Sequence, residues 1–155
     1  MLTYRLVRVI EYHSDALAAN LLRKVQTGDR TESYRNVPPD ELKQRVNEIY
    51  HHLGTWLIDK TTPEIEQRYM AIGERRAEQD VPLSELIWAI ILTKHNLWEF
   101  IDDTTFAGRI SEVSDKQEIL NLLDEFFDEA IYAATAGYEL AEQNAKLNHP
   151  VRKVG

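Results

Sequence analysis

The chain has 155 residues, the length of one ordinary globular domain, and it contains no cysteine. The missing thiols exclude disulfide bonds, thiolate metal sites and a cysteine nucleophile. Its 18 basic and 26 acidic side chains give a formal net charge of −8, which argues against nucleic acid or an anionic membrane surface as a partner.

The N-terminal segment lacks the apolar core of a signal peptide, since Arg5 already interrupts it. The longest apolar run, residues 86–92, is far shorter than the roughly 20 residues that a membrane-spanning helix needs. We therefore expect a cytoplasmic protein that forms one domain over residues 1–155.

Apolar residues recur at spacings of three and four along most of the chain, a pattern typical of amphipathic helices. Proline at residues 39, 63 and 82 suits the first turn of a helix. The sequence thus predicts an all-α bundle of about five helices. They cover residues 3–25, 38–60, 62–80, 82–101 and 115–147, and residues 30–37 form a polar loop.

Gly54 and Gly73 lie inside predicted helices, where glycine costs about 1 kcal/mol relative to alanine. This cost indicates a packing reason, such as two helices that cross with little space between them. Ordinary tolerated glycines are the alternative.

Two apolar stripes run side by side along the fifth helix and form a wider apolar arc than one core contact needs. We expect one stripe to pack inward and the other to meet a second subunit, because the small residues 133–137 would allow close backbone approach. A helix buried within a monomer is the alternative. The inward stripe is Ile119, Leu122, Phe126, Ala130, Ala133, Gly137 and Leu140, and the dimer stripe is Leu120, Leu123, Phe127, Ile131, Ala134 and Tyr138.

One group of residues has a spacing compatible with a metal site. His95, Glu99 and Asp102 lie at i, i+4 and i+7 on one helix face, and such ligands could bind a divalent ion. The sequence offers no fourth ligand, so a solvated helix edge is the favoured interpretation. A helical-bundle metalloenzyme remains an alternative.

Four residues are candidates for a ligand pocket between helices: His13, Trp56, Tyr69 and Trp98. All fall on or beside apolar stripes, where such side chains usually fill a core. The chain has no nucleophile elbow, phosphate-binding loop or dinucleotide fingerprint. We therefore expect a protein that is not an enzyme and binds no cofactor.

Three segments carry a family resemblance: residues 32–42, which include Tyr34-Arg35-Asn36-Val37-Pro38-Pro39; residues 50–57; and residues 75–89. They resemble the N-terminal domain of RsbR-type regulators, the RsbT co-antagonists of bacteria. The resemblance extends over roughly residues 6–141.

The resemblance implies a globin-like all-α fold without heme that dimerises through its last helices and passes a signal to an output domain or another signalling protein. It also implies that Gly54 and Gly73 lie near one close helix crossing. No histidine occurs from Lys60 to Lys94, where a heme globin would carry its proximal ligand. A heme-binding or small-ligand-binding relative of globins is the alternative function.

Overall fold

The computed structural model describes residues 2–59, 62–103 and 113–148. Over these ranges the chain forms six α-helices, one 3₁₀ helix and no strand, which confirms the all-α class and exceeds the predicted count of five helices. The α-helices are α1 (Leu2–Tyr12), α2 (Ser14–Thr27), α3 (Pro39–Asp59), α4 (Thr62–Glu78), α5 (Leu83–Asp103) and α6 (Val113–Asn148), and the 3₁₀ helix is Asp29–Asn36.

The predicted first helix is in fact two helices that meet at His13. The backbone there (φ −106°, ψ 15°) leaves the α-helical region, and Ser14 and Asp15 follow as favourable residues for a new helix start. The apolar periodicity continues across the break, because Ile10 and Leu17 are both buried. For that reason the pattern could not reveal the break.

The segment predicted as a loop, residues 30–37, is largely the 3₁₀ helix and is anchored to the core. Thr31 is fully buried, and its hydroxyl donates to the carbonyl oxygen of Val25 at 2.5 Å. Ser33 donates from its backbone N–H and its hydroxyl to the carboxylate of Glu85, both at 2.8 Å. Hydrogen bonds from its polar side chains attach this segment together with the buried side chains of Tyr34 and Val37.

The turn between α4 and α5 has a left-handed residue, Asp80, with φ 59°. The N–H of Val81 donates to the carbonyl oxygen of Arg76 at 3.0 Å and closes the end of α4. This sharp turn lets α5 begin immediately after Pro82, as the sequence predicted.

α6 packs most extensively against α4 and next against α5. A Cβ on Gly73 would overlap the carbonyl oxygen of Ala134, and one on Gly137 would overlap that of Met70, so the two helix backbones touch. This confirms the predicted close packing at Gly73. Gly54 faces α1 instead, so the two glycines serve different contacts and not one crossing as expected.

Among the helices in the described part of the chain, none combines the length and the apolar character needed to cross a bilayer.

Candidate functional site

The structure brings together two of the four candidate pocket residues. Trp56 of α3 and Tyr69 of α4 are both buried, and their rings pack on Phe126 of α6 with centroid distances of 5.3 Å and 6.0 Å. His13 packs instead on the ring of Phe100 at 5.1 Å, and Trp98 is half-buried on α5. Neither of these two residues lines the cavities beside Tyr69.

Two cavities lie on either side of Tyr69. The larger, about 110 Å³, lies between α3, α4 and α6 and is lined mainly by Ile49, Ile65, Ile72 and Phe126. The smaller, about 50 Å³, extends toward α2 and α5 and is almost entirely apolar. Tyr69 contributes to the walls of both.

The hydroxyl of Tyr69 is buried and has no hydrogen-bond partner among the described residues. Burial raises the pKa of Tyr69 well above its ordinary value, and the nearby Tyr50 raises it further. The group therefore stays protonated at any physiological pH and can donate a hydrogen bond.

A polar rim borders the larger cavity. Arg45 and Glu48 form an ion pair at 2.8 Å, and Arg68 is exposed beside them. Since the paired charges offset each other, the interior of the cavity has no buried counter-charge for an ionic ligand.

The candidate metal ligands have other partners. Glu99 accepts a hydrogen bond from Lys24 at 2.6 Å, which lowers the pKa of its carboxyl group. His95 packs edge-on against Trp88 at 6.3 Å, and the side chain of Asp102 lies outside the described residues. Within the part of the chain that the structure describes, no three His, Asp or Glu side chains are grouped for a metal ion.

The predicted dimer stripe of α6 is mostly covered by the subunit itself. Leu123 and Ala134 are fully buried, Phe127 is 1% exposed and Tyr138 7% exposed. Only Leu120 and Ile131 are half-buried.

A second copy was expected because the apolar arc of α6 is wider than one core contact needs, and the burial of this stripe within one subunit removes that reason. The inward stripe is also largely buried, and the small residues 133–137 receive the backbone of α4 from the same subunit. The apolar arc is wide because several helices of one chain surround α6. Association of two copies stays a prediction, and it would have to use another surface.

Sequence reasoning missed an arginine cluster beside the 3₁₀ helix, in which Arg76 is buried and Arg75 is exposed. Arg76 is only 3% exposed; it lies over the ring of Tyr34 at 5.6 Å and donates to Gln79 at 2.7 Å. Burial raises the pKa of Tyr34 to about 12.

The same cluster holds Glu41 of α3 against α4. Arg75 and Gln79 each donate to its carboxylate at 2.9 Å, and Arg76 lies 3.5 Å from it. The hydrogen bond from Arg75 is the main cause that lowers the pKa of Glu41. Because residues 74–80 form a charged run, no sequence pattern indicated that one of its arginines is buried.

A buried amide also joins three helices. Asn96 of α5 donates to the carbonyl oxygen of Leu17 at 3.1 Å and to the hydroxyl of Tyr50 at 2.9 Å, and it accepts from Asn20 at 2.7 Å. Asn96 is fully buried, so these bonds satisfy a polar group that would otherwise be costly to bury. We interpret the cluster as structural, because both the donor and the acceptor of the buried Asn96 amide bond to neighbouring helices.

Comparison with known proteins gives one family. The family model described as the RsbT co-antagonist protein rsbRD N-terminal domain matches residues 15–149. No curated protein and no solved structure matches the chain. The match extends from α2 to the end of α6 and so takes in both cavities, the arginine cluster and the core except for its α1 residues. The chain therefore belongs to the family of RsbT co-antagonist rsbRD N-terminal domains.

Proposed function

We propose that this domain is a regulatory signalling module that acts through contacts with other proteins and catalyses no reaction itself. The observation that carries the proposal is the family match over residues 15–149, since a co-antagonist is by its description a protein that acts on another protein. RsbT, named in that description, is the proposed partner. The resemblance also supports a globin-like arrangement of the helices and a cytoplasmic location.

Binding to RsbT tests this proposal directly. Purified chain and RsbT are mixed at micromolar concentration and followed by analytical ultracentrifugation, with an unrelated helical protein of similar net charge as the control. The proposal is supported if a complex forms with RsbT and not with the control protein. It is contradicted if the sedimentation coefficient of the chain is the same with and without RsbT.

We further propose that two copies associate through the outer face of α5. Ile87, Trp88 and Ile91 are half-buried there and do not join the buried core, and Leu120 of α6 has the same character. A second copy would remove this apolar surface from water, which is the usual driving force for association.

Light scattering after size-exclusion chromatography tests the association. Ile91→Glu places a charge on the proposed interface and should convert a dimer to a monomer. Tyr12→Glu is the control, because Tyr12 is 86% exposed on α1, away from that face. A wild-type monomer, or dissociation by Tyr12→Glu alone, would contradict the proposed interface.

We propose that the domain holds no heme. The cavity of about 110 Å³ is smaller than the roughly 300–1,000 Å³ typical of drug-sized ligands. A wider polar cleft of about 570 Å³ between α2 and α3 has no histidine in its lining. A Soret band in the visible absorption spectrum of the purified protein would contradict this proposal.

A further inference from the structure

The smaller of the two cavities beside Tyr69 is lined by side chains from α2, α3, α4 and α5, and nearly all of its accessible surface is apolar. Its volume of about 50 Å³ is about one third of the roughly 150 Å³ of an apolar cavity that stays dry and binds benzene or xenon. The space is therefore too small for a benzene ring, and it suits one smaller molecule. The main apolar lining residues are Leu21, Val25, Val46, Ile49, Leu86 and Ile90.

Two lining residues of the smaller cavity are charged, and both have partners outside it. Arg45 is exposed and lies 2.8 Å from Glu48. Arg76 donates to Gln79 at 2.7 Å and lies 3.5 Å from Glu41. Because these carboxylates offset the positive charges, an anion that entered the cavity would lose its hydration without gaining an uncompensated cation.

The hydroxyl groups of the wall also leave little for a polar ligand to bind. Thr93 donates to the carbonyl oxygen of Ala89 at 2.9 Å, and the hydroxyl of Tyr69 is buried too deeply to touch a molecule in the cavity. An ordered water in a protein interior makes about three hydrogen bonds. The wall therefore favours an apolar occupant over water.

Polar contacts around the smaller cavity hold its helices apart. Asn96 of α5 donates to the carbonyl oxygen of Leu17 on α2 and to the hydroxyl of Tyr50 on α3. Glu41 of α3 accepts from Arg75 of α4 at 2.9 Å. Since hydrogen bonds weaken steeply outside a narrow range of distance and angle, the helices could close over the space only by losing these bonds.

We propose that the smaller cavity is a binding site for one uncharged apolar molecule that is smaller than benzene. The ligand contacts α2, α3, α4 and α5 at once, so its binding stabilises the arrangement of these four helices. The site depends on neither the proposed RsbT contact nor the proposed interface on α5. Its failure would therefore leave those two proposals unaffected.

Ethane and methanol are matched probes, because they are similar in size and only methanol carries a hydroxyl. We titrate each into the intact chain and follow the methyl resonances of Leu86 and Ile90 by NMR. Ethane should cause shifts that saturate, and methanol at the same concentration should not. Absence of saturable shifts with ethane overturns the proposal, and so do equal shifts with methanol, because the wall would then not select an apolar molecule.

A pair of matched variants assigns ethane to one of the two cavities. Ala89 lines only the smaller cavity, and Ala71 lines only the larger one. Ala89→Leu should abolish the ethane shifts by filling the space, and Ala71→Leu, which adds the same atoms, should leave them unchanged. If the shifts persist in a folded Ala89→Leu chain, or if both variants abolish them, the proposed site is wrong.

An enlarged cavity provides a second test that does not require Ala89→Leu to fold. Leu86→Ala removes part of the wall and should allow benzene to cause saturable shifts at Ile90, which benzene should not cause in the wild-type chain. Circular dichroism confirms that the variant is folded. Benzene shifts at Ile90 that are equal in wild type and Leu86→Ala, or absent from both, contradict the proposed size and position of the site.

Discussion

Two glycines in helix interiors give different predictions for the same substitution. By helix propensity alone, Gly73→Ala and Gly54→Ala should each stabilise the fold by about 1 kcal/mol. The structure predicts otherwise, because the two new methyl groups would meet different kinds of atoms. At Gly73 they meet backbone, and at Gly54 they meet the ends of side chains.

The expected change in the free energy of unfolding depends on whether the neighbouring atoms can move away from the new methyl group. A Cβ at Gly73 would overlap the carbonyl oxygen of Ala134 and lie 2.9 Å from both its carbonyl carbon and the N of Tyr138. Only a separation of α4 and α6 relieves this overlap, and overpacking of this kind typically costs about 1–3 kcal/mol or more. We expect Gly73→Ala to lower the free energy of unfolding by about 2 kcal/mol even after the gain in propensity.

Gly54→Ala is the matched control. Its Cβ would lie 3.3 Å from Glu11 Oε1 and from Val7 Cγ1, and both side chains can shift by a few tenths of an ångström. The gain in helix propensity should then offset the crowding and leave stability within about 1 kcal/mol of wild type.

Urea denaturation followed by far-UV circular dichroism measures both variants under the same conditions. We expect a lower midpoint for Gly73→Ala only, with a thermal midpoint lower by roughly 4–8 °C, since about 1 kcal/mol corresponds to 2–4 °C at this chain length. If the two variants shift stability equally, or if Gly73→Ala stabilises the fold, then α4 and α6 do not touch through their backbones.

Four further variants test other polar groups. Asn96→Ala should lower the free energy of unfolding by about 2–4 kcal/mol in thermal or urea denaturation, because its buried partners lose their hydrogen bonds; the exposed Asn121→Ala should change it by less than about 0.5 kcal/mol. Tyr138→Phe should cost about 1 kcal/mol, because its hydroxyl donates to a backbone carbonyl at 2.6 Å. Tyr69→Phe, which removes an unpaired hydroxyl, should be neutral or stabilising in thermal denaturation, and a clear loss would show that the hydroxyl has a partner. Glu41→Gln should be less stable than wild type at neutral pH. That difference should vanish in acid, since hydrogen bonding to arginine lowers the pKa of Glu41 below its ordinary value, and the stabilising effect of the charged carboxylate is lost as the pH falls through that lowered pKa.

The helices could be predicted where local signals and packing agree. α3, α4 and α5 begin near prolines that suit a first helical turn, and their apolar faces are the ones that the structure buries. The break at His13 could not be predicted, because the apolar spacing is the same on both sides. The 3₁₀ helix was missed because hydrogen bonds attach it, from Thr31 to the end of α2 and from Ser33 to Glu85 on α5.

The site was predictable only in part, because a sequence shows side chains and not their partners. Tyr69 and Trp56 were singled out as aromatic residues on apolar stripes, and the structure buries both. Whether the hydroxyl of Tyr69 has a hydrogen-bond partner depends on the residues that other helices place around it, and the sequence near Tyr69 does not show these. The burial of Arg76 likewise depends on Tyr34, which the 3₁₀ helix brings over it.

The width of the apolar arc on α6 measures how many neighbours the helix has, and it does not identify the molecule that supplies them. Small residues such as Ala134 and Gly137 allow close backbone approach by a helix of the same chain or of a second copy. The interior glycine of α4 distinguishes the two cases, because Gly73 costs helix stability and needs a reason to be there. Contact with Ala134 supplies that reason within one chain, whereas a pair of α6 helices would leave Gly73 unexplained. Interior glycines in two different helices were therefore the sequence signal that favoured a contact within the subunit.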